Sequence, residues 1–231
     1  KQINYKSIFM NYFKSKVSTY LRVVLFSITA LISSNISYSQ DFGADLVSSY
    51  VWRGTQFGSG THIQPYMTLQ SGKFEAGLWG SFPTSARGGG NELDAYLSYD
   101  FGPLAITVTN YTFPGEGGSY FEGEGFFQGD YTEISGSTSI IGVDLMAGYF
   151  TEVKALYIEL GFAAGPIDIA IGYGDDQDDA WYANGRSGLV NISFSGSKEI
   201  TISESYSLPL FGSFILNPEE EAAFLVFGIS F

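Results

Sequence analysis

The sequence predicts an all-β protein, an up-and-down antiparallel transmembrane β-barrel of about 12 strands. Beyond residue 40, apolar and polar side chains alternate over segments of about ten residues, the length a tilted strand needs to cross a bilayer. The chain contains 29 Gly, 16 Tyr and 20 Phe. Past its N-terminal region it has no apolar run approaching the roughly 20 residues of a transmembrane helix.

Composition excludes several other classes of protein. The chain has 231 residues, of which 45% are hydrophobic and 15% charged, so it is too apolar for a disordered acidic polymer. It has no cysteine, which excludes disulfide scaffolds, thiolate zinc sites and cysteine nucleophiles. Its formal net charge of −13 makes nucleic acid an unfavourable partner.

The N-terminal region has the pattern of an export signal. Residues 1–40 contain five basic residues and no acidic one, followed within the same region by an apolar stretch at 23–32. Ser37 and Ser39 flank Tyr38 just before Gln40, as a cleavage site requires. We therefore predict a secretory signal peptide over residues 1–39 and one barrel domain over 40–231. The alternative, a single membrane-anchoring helix, needs a longer apolar core.

The alternation is clearest in residues 91–101, where Leu93 and Leu97 share one face and Asp94 and Ser98 the other. It recurs at 155–164, 166–174 and 187–195, and in the last of these Val190 is predicted on the apolar face. The polar face is rich in glycine and serine, which are too small to fill the core of a soluble barrel or sandwich. We therefore expect the apolar face to point outward, towards lipid.

Breaks at Gly, Pro, Asn and Asp clusters divide the chain into strands. Connections at one end are short, as at 141–142, 165 and 196–197, whereas most at the other end are longer, as at 114–129 and 209–220. This asymmetry is typical of outer-membrane barrels. The predicted strands are 42–54, 61–70, 73–82, 91–101, 103–113, 130–140, 143–151, 155–164, 166–174, 186–195, 199–208 and 221–231.

Several segments resemble the TorF family of bacterial porins. They are DLVSSYVWRG at 45–54, IQP at 63–65, FEAGLWGS at 74–81, ELDAYLSY at 92–99, YIELG at 157–161 and FGSFILNP at 211–218. The resemblance implies a barrel fold, a location in the bacterial outer membrane and a channel. The C-terminal FGISF, ending at Phe231, resembles the outer-membrane assembly signal, which implies recognition by the barrel assembly machinery.

The sequence offers little support for catalysis, so we predict no enzyme activity, no catalytic residue and no cofactor. His62 is the only histidine, and neither a G-x-S-x-G nor an H-E-x-x-H motif is present. The alternative is a hydrolase-like rim site, because His62 lies beside Ser59 and Thr61 near a predicted loop.

An acidic run could bind a divalent cation at the loop end of the barrel. Carboxylate oxygens are the ligands that Ca²⁺ prefers, and divalent ions also bridge lipopolysaccharide. The alternative is a solvated loop tip, because the run has no EF-hand register. The four candidate ligands are Asp175, Asp176, Asp178 and Asp179.

Charged side chains predicted to face the lumen suggest a function. A lumen lined mainly by carboxylates would favour passage of cations, so we expect passive diffusion of small hydrophilic solutes or ions. The alternative is a salt-bridged plug formed by the basic residues, leaving a structural or recognition barrel that acts through acidic extracellular loops. The predicted lumen residues are Asp45, Glu75, Asp94, Glu133, Glu159 and Asp168, with Arg53 and Lys73 as opposing charges.

Overall fold

A computed structural model describes residues 38–85, 88–114, 131–176, 181–182, 186–204 and 206–231. The chain divides into two compact units, Lys1–Tyr38 and Ser39–Phe231, and the description below concerns the second. The predicted signal peptide lies almost wholly outside the described residues and stays a prediction. Within the described ranges there is no helix long and apolar enough to cross a membrane.

All regular elements of the described chain are strands. They are β1 (Ser39–Val47), β2 (Tyr50–Trp52), β3 (Thr55–Gly58), β4 (His62–Ser71), β5 (Phe74–Pro83), β6 (Glu92–Asp100), β7 (Ala105–Thr112), β8 (Tyr131–Ile140), β9 (Val143–Phe150), β10 (Ala155–Ala164), β11 (Ile167–Asp176), β12 (Ser187–Ser203), β13 (Tyr206–Asn217) and β14 (Ala222–Ser230).

Twelve of these strands, β1 and β4–β14, form a closed antiparallel barrel in which successive strands are neighbours. β1 completes the ring by pairing with β14, for example at Asp45 and Ser230. β2 and β3 pair only with each other and form a separate hairpin. The prediction of an up-and-down barrel of about twelve strands is confirmed.

The two ends of the barrel differ in their connections. The short-turn end holds the turns that follow β4, β6, β8, β10 and β12, and the long-loop end holds the other connections. Ile141 and Gly142, between β8 and β9, both have positive φ, as the favoured two-residue hairpin turns require. The β2–β3 hairpin belongs to the connection between β1 and β4, at the long-loop end.

The outer surface of the barrel is apolar. Leu97 is 65% exposed, whereas Glu92 and Asp94 of the same strand, on the alternate face, are buried inside. Large apolar side chains are exposed in the same way around the barrel. They include Phe42, Met67, Phe74, Val108, Ile134, Ile158, Ile171, Phe194, Phe214, Leu225 and Phe227.

The predicted first strand, 42–54, is wrong in its second half. β1 ends at Val47, and the chain then turns into the β2–β3 hairpin. The alternation of Tyr50, Val51 and Trp52 is real, but it belongs to a short strand outside the barrel wall. A pattern of period two identifies a strand without identifying its partner.

The predicted turn at 196–197 and strand at 199–208 are also wrong. β12 continues to Ser203 because Gly196 pairs with Gly212 inside the β12–β13 ladder, and the side chains of Ser195 and Ser213 are hydrogen bonded at 2.9 Å. The predicted long loop 209–220 is therefore mostly strand, because β13 extends to Asn217. Glycine and serine lie here within strands and do not interrupt them.

A β-bulge changes the direction of one predicted outward residue. Gly172 pairs with Asn191 and Tyr173 with Leu189, which leaves Val190 as the extra residue of β12. Val190 is 0% exposed and packs inside the barrel, so its predicted place on the outer face is wrong.

Inward-facing glycines make room for large side chains from neighbouring strands. A Cβ atom on Gly172 would lie 2.1 Å from the hydroxyl oxygen of Tyr157, and one on Gly148 would lie 2.0 Å from a carboxylate oxygen of Glu133. At these positions the small residues on the polar face leave no empty space, because they face bulky residues across the ladder.

We expect Gly172→Ala to destabilise the barrel by about 1–3 kcal/mol, because the added methyl group overpacks the fully buried ring of Tyr157. Gly161→Ala is the matched control, since its nearest neighbour would be an ordinary contact at 3.7 Å from Asp144. Thermal unfolding of both variants in detergent measures the difference. Equal stabilities would contradict this account of the inward glycines.

Candidate functional site

The β2–β3 hairpin turns at Arg53 and Gly54, and its turn residues lie against the inner wall of the barrel. Trp52 pairs with Thr55, and both turn residues have positive φ, 49° for Arg53 and 82° for Gly54. This is the backbone of a two-residue hairpin turn in which a residue with a side chain costs on the order of 1 kcal/mol at a left-handed position. Other interactions must therefore hold Arg53 in place.

Gly54 fits the wall so closely that only glycine is compatible. A Cβ atom there would lie 1.8 Å from the backbone oxygen of Val190, at the bulge of β12. The side-chain amide of Asn217, in β13, donates a hydrogen bond of 3.2 Å to the Gly54 carbonyl oxygen. The bulge at Val190 and the amide of Asn217 together form the surface that receives the turn, which we call its seat.

Arg53 forms an ion pair inside the barrel. Its two terminal nitrogens donate to the two carboxylate oxygens of Glu133 in β8, at 2.6 and 3.1 Å. The side chains are only 9% and 3% exposed. Glu133 also accepts a hydrogen bond of 2.9 Å from the hydroxyl of Tyr111, and Arg53 donates one of 2.6 Å to the hydroxyl oxygen of Tyr182.

Two aromatic rings enclose the guanidinium group of Arg53. Its central carbon lies 4.3 Å from the ring centre of Trp52 and 4.4 Å from that of Tyr157, within the range of cation–π attraction. Burial alone would lower the pKa of Arg53, but the oxygens of Tyr182 and Glu133 outweigh it and raise the pKa above its ordinary value. Arg53 is therefore a fixed positive charge at any physiological pH.

Aromatic side chains of the hairpin also contact other strands of the barrel wall. Tyr50 donates a hydrogen bond of 2.7 Å to Glu92 in β6, and its ring lies 5.5 Å from that of Trp79 in β5. The ring of Trp52 lies 5.7 Å from Tyr111 in β7 and 6.2 Å from Phe150 in β9. Together with the contacts of Arg53 and Gly54, these reach from β5 round to β13. The hairpin therefore plugs this level of the barrel.

Below the hairpin, towards the short-turn end, the interior contains a cavity with acidic and hydroxyl side chains in its lining. This cavity of about 260 Å³ is lined by Asp144, Asp168, Ser193 and Ser195, among others. Glu159 lies at the boundary with the plugged level, where it accepts hydrogen bonds from Tyr157 and, at 3.0 Å, from Asn191. We call this region the acidic vestibule.

The predicted lumen residues separate into two groups in the structure. Arg53, Glu133 and Asp94 are buried at the plugged level, whereas Glu75, which accepts a hydrogen bond of 2.9 Å from Tyr96, and Asp168 lie towards the short-turn end.

Two further predicted lumen residues, Asp45 and Lys73, belong to neither group. Asp45 is half-buried and pairs with Gln64 on the inward face of β1. Lys73 lies in the turn between β4 and β5, where it is exposed and belongs to no strand of the wall.

The acidic run is only partly described. Asp175 is half-buried at the end of β11, and Asp176 is buried and accepts a hydrogen bond of 2.8 Å from the backbone of Tyr182. Asp178 and Asp179 lie outside the described residues. Within the described ranges no group of three or more acidic or histidine side chains could hold a metal ion. The divalent-cation site therefore stays a prediction.

His62 is fully buried at the start of β4. Its two ring nitrogens lie 2.8 Å from the backbone oxygens of Gly60 and Gly89, so both face carbonyl groups of the loops. In this arrangement the imidazole joins the β1–β4 connection to the β5–β6 connection.

The chain matches no protein-family model, and the curated proteins with which it was compared include none that is similar to it. The resemblance to TorF porins therefore remains a prediction, and the geometry of the barrel interior carries the functional argument.

Sequence reasoning missed the hairpin and most of its partners. The available signal was the dipeptide Arg53-Gly54 between two short β-prone segments, which is a turn pattern within a predicted strand of 13 residues. No local pattern marks the residues that receive the hairpin, because they come from distant strands. They are Trp79, Glu92, Tyr111, Phe150, Tyr157, Tyr182, Val190 and Asn217.

We expect Arg53→Lys to reduce the free energy of unfolding by about 2 kcal/mol, because lysine keeps the charge but loses the two-point contact with Glu133. Arg186→Lys is the control. Its ion pair with Glu219 is 3.7 Å long with Arg186 60% exposed, so the change should cost less than about 1 kcal/mol. Denaturant unfolding in detergent compares them, and equal losses would contradict a special role for Arg53.

Proposed function

We propose that this protein is an outer-membrane barrel of the porin type that conducts small hydrophilic solutes or ions and prefers cations. The observation that carries the proposal is a closed twelve-stranded barrel with an apolar outer surface and, towards its short-turn end, a cavity lined in part by carboxylate and hydroxyl side chains. Such a barrel satisfies all backbone hydrogen bonds within lipid and leaves this part of its interior to water. No catalytic activity or cofactor is proposed.

A location in the outer membrane is supported by three features. Large apolar side chains are exposed on the outer face of most strands, which would be unfavourable in water. The N-terminal sequence has the pattern of an export signal, and several segments resemble TorF porins, to which we propose that the chain is related. Lipid, lipopolysaccharide and, through Phe231, the barrel assembly machinery are the partners we propose.

Preference for cations is supported by the distribution of charge. Inward-facing carboxylates occur both in the plug and in the acidic vestibule. Arg53 is the one arginine or lysine whose side chain is buried in the described part of the chain, and it is engaged by Glu133. The other described lysine and arginine residues are exposed: Lys73, Lys154, Arg186 and Lys198.

A second candidate function is favoured by the hairpin itself. Because the hairpin fills the interior at the level of Arg53 and Glu133, the barrel could act without conduction, as a structural or recognition protein whose acidic loops bind a partner. Conductance of the purified wild-type protein in a planar bilayer distinguishes the two candidates. A channel gives discrete conductance steps, whereas a closed barrel gives none.

The proposed insertion into lipid is tested by two variants, each of which places one charge on a different face of β12. Phe194→Lys places a charge on the outer face and should cost about 2–4 kcal/mol in lipid, whereas Ser195→Lys places it in the interior and should cost far less. Assembly into vesicles, followed by the heat-dependent mobility shift of folded barrels, measures the fraction folded. Equal assembly of both variants would contradict a lipid-facing outer surface.

The proposed selectivity is tested at carboxylates in and near the acidic vestibule, towards the short-turn end of the barrel. Neutralising Glu75, Asp144 and Asp168 together, by Glu75→Gln, Asp144→Asn and Asp168→Asn, should move the reversal potential towards zero in a salt gradient. Raising ionic strength should have the same effect, since the Debye length is about 10 Å at 0.1 M. Glu152→Gln, at the exposed β9–β10 turn, is the control. An unchanged reversal potential in the triple variant would exclude these carboxylates as the determinants.

A further inference from the structure

We propose that the β2–β3 hairpin is the closing element of this channel and that the Arg53–Glu133 ion pair stabilises its closed position, from which the wild-type channel opens only part of the time. The inference rests on the proposed function, because it names the residues that regulate conduction through the same interior. It follows from how the hairpin is attached to the barrel, what holds it in place and what charge it covers.

The hairpin can leave the interior without breaking the barrel. β2 and β3 hydrogen bond to each other and take no part in the ladder of the wall. Its described contacts with the wall are made by the side chains of Tyr50, Val51, Trp52 and Arg53, and by the backbone of Gly54 at Val190 and Asn217. None of these contacts belongs to the backbone ladder of the twelve-strand ring, so the ring can keep its pairing when they are lost.

The hairpin is anchored where it leaves and rejoins the wall. The backbone nitrogen of Ser48 donates to the Phe227 oxygen at 2.8 Å, and that of Ser59 donates to the Gly88 oxygen at 2.9 Å. Residues 49–58 between these points form an arm held inside by its own side chains. An arm with fixed ends can swing out and return to the same seat.

The ion pair is the interaction on which the closed position depends most. Arg53 holds a left-handed backbone conformation, which is unfavourable for a residue with a side chain, and its charge is removed from water. Glu133 compensates for both, because it binds the guanidinium at two points. Without Glu133, the docked hairpin would leave a buried charge without its counter-ion, so the equilibrium shifts to the released arm.

Removing Arg53 also changes the charge that a permeating ion meets. Glu92, Asp94 and Glu133 are all buried at the level of the hairpin, and Arg53 is the only cation among them in the described chain. Arg53→Ala therefore opens the path and leaves it more negative. Glu133→Gln opens the same path but removes a carboxylate and keeps the arginine.

These opposite changes define the experiment. Planar-bilayer recordings compare the wild-type protein, Arg53→Ala, Glu133→Gln and a variant in which residues 49–58 are replaced by a short Gly-Ser loop. We expect the time-averaged conductance of each channel to rise in all three variants, because the open position is occupied for more of the time. Cation preference should strengthen in Arg53→Ala and weaken in Glu133→Gln. Arg186→Ala, at an exposed ion pair, is the control that should match the wild type.

Hydrogen–deuterium exchange of the same proteins reports the position of the arm independently of conduction. Residues 50–58 should be protected in the wild-type protein and exchange rapidly in Arg53→Ala, while the strands of the wall stay protected. The heat-dependent mobility shift confirms that each variant remains a folded barrel. A variant that merely unfolds loses protection throughout the wall and does not conduct discretely.

The outcomes separate this inference from the proposed function. Wild-type conductance that is unchanged in the loop-replacement variant overturns the closing role of the hairpin and leaves the channel function standing. A loop-replacement barrel that is folded but does not conduct overturns the channel function, and the closing role with it. Unchanged protection of residues 50–58 in Arg53→Ala overturns the role of the ion pair.

Discussion

The arrangement of the barrel interior depends on one buried positive charge. Arg53 is carried by a turn and enters a space where water cannot solvate it fully, so the surrounding strands must supply oxygen atoms and aromatic faces. Glu133, Tyr182 and Tyr157 do so from three separate parts of the chain. Gly148 takes part indirectly, because its missing side chain leaves room for the Glu133 carboxylate.

The wall is shaped to receive the turn as well as the charge. The bulge at Val190 and the close approach of Gly54 occur at the same place, so an irregularity in β12 matches an irregular backbone in the hairpin. Asn217, from the next strand, satisfies the carbonyl group of Gly54. Backbone groups buried at a turn need such partners, and here the barrel provides them from the side opposite β5 and β6.

Period-two alternation was sufficient to predict the barrel, because outward-facing and inward-facing residues differ sharply in strands such as 91–101. It failed where the physical cause was not local. Tyr50–Trp52 alternates like a wall strand, yet it folds inward because Arg53 finds its counter-charge 80 residues away. Val190 turned inward because a bulge shifts the register, and Gly196 did not end its strand because a glycine on the neighbouring strand pairs with it. None of these partners can be identified from sequence spacing alone.

The hairpin also supports the seam of the barrel, where β1 pairs with β14. These strands share register pairs at Asp45–Val47, extended by backbone hydrogen bonds of Ala44 and Ser48, whereas β10 and β11 pair along all of Ala155–Ala164. Val51 of the hairpin packs against a cluster that contains Val47 of β1 and Val226 of β14, and so braces the seam from within. Since β1 and β14 are the most distant strands in sequence, their pairing carries the largest loop-closure entropy and should form late in folding. The strand pairing that forms last in the wall would then be the one that the docked hairpin braces.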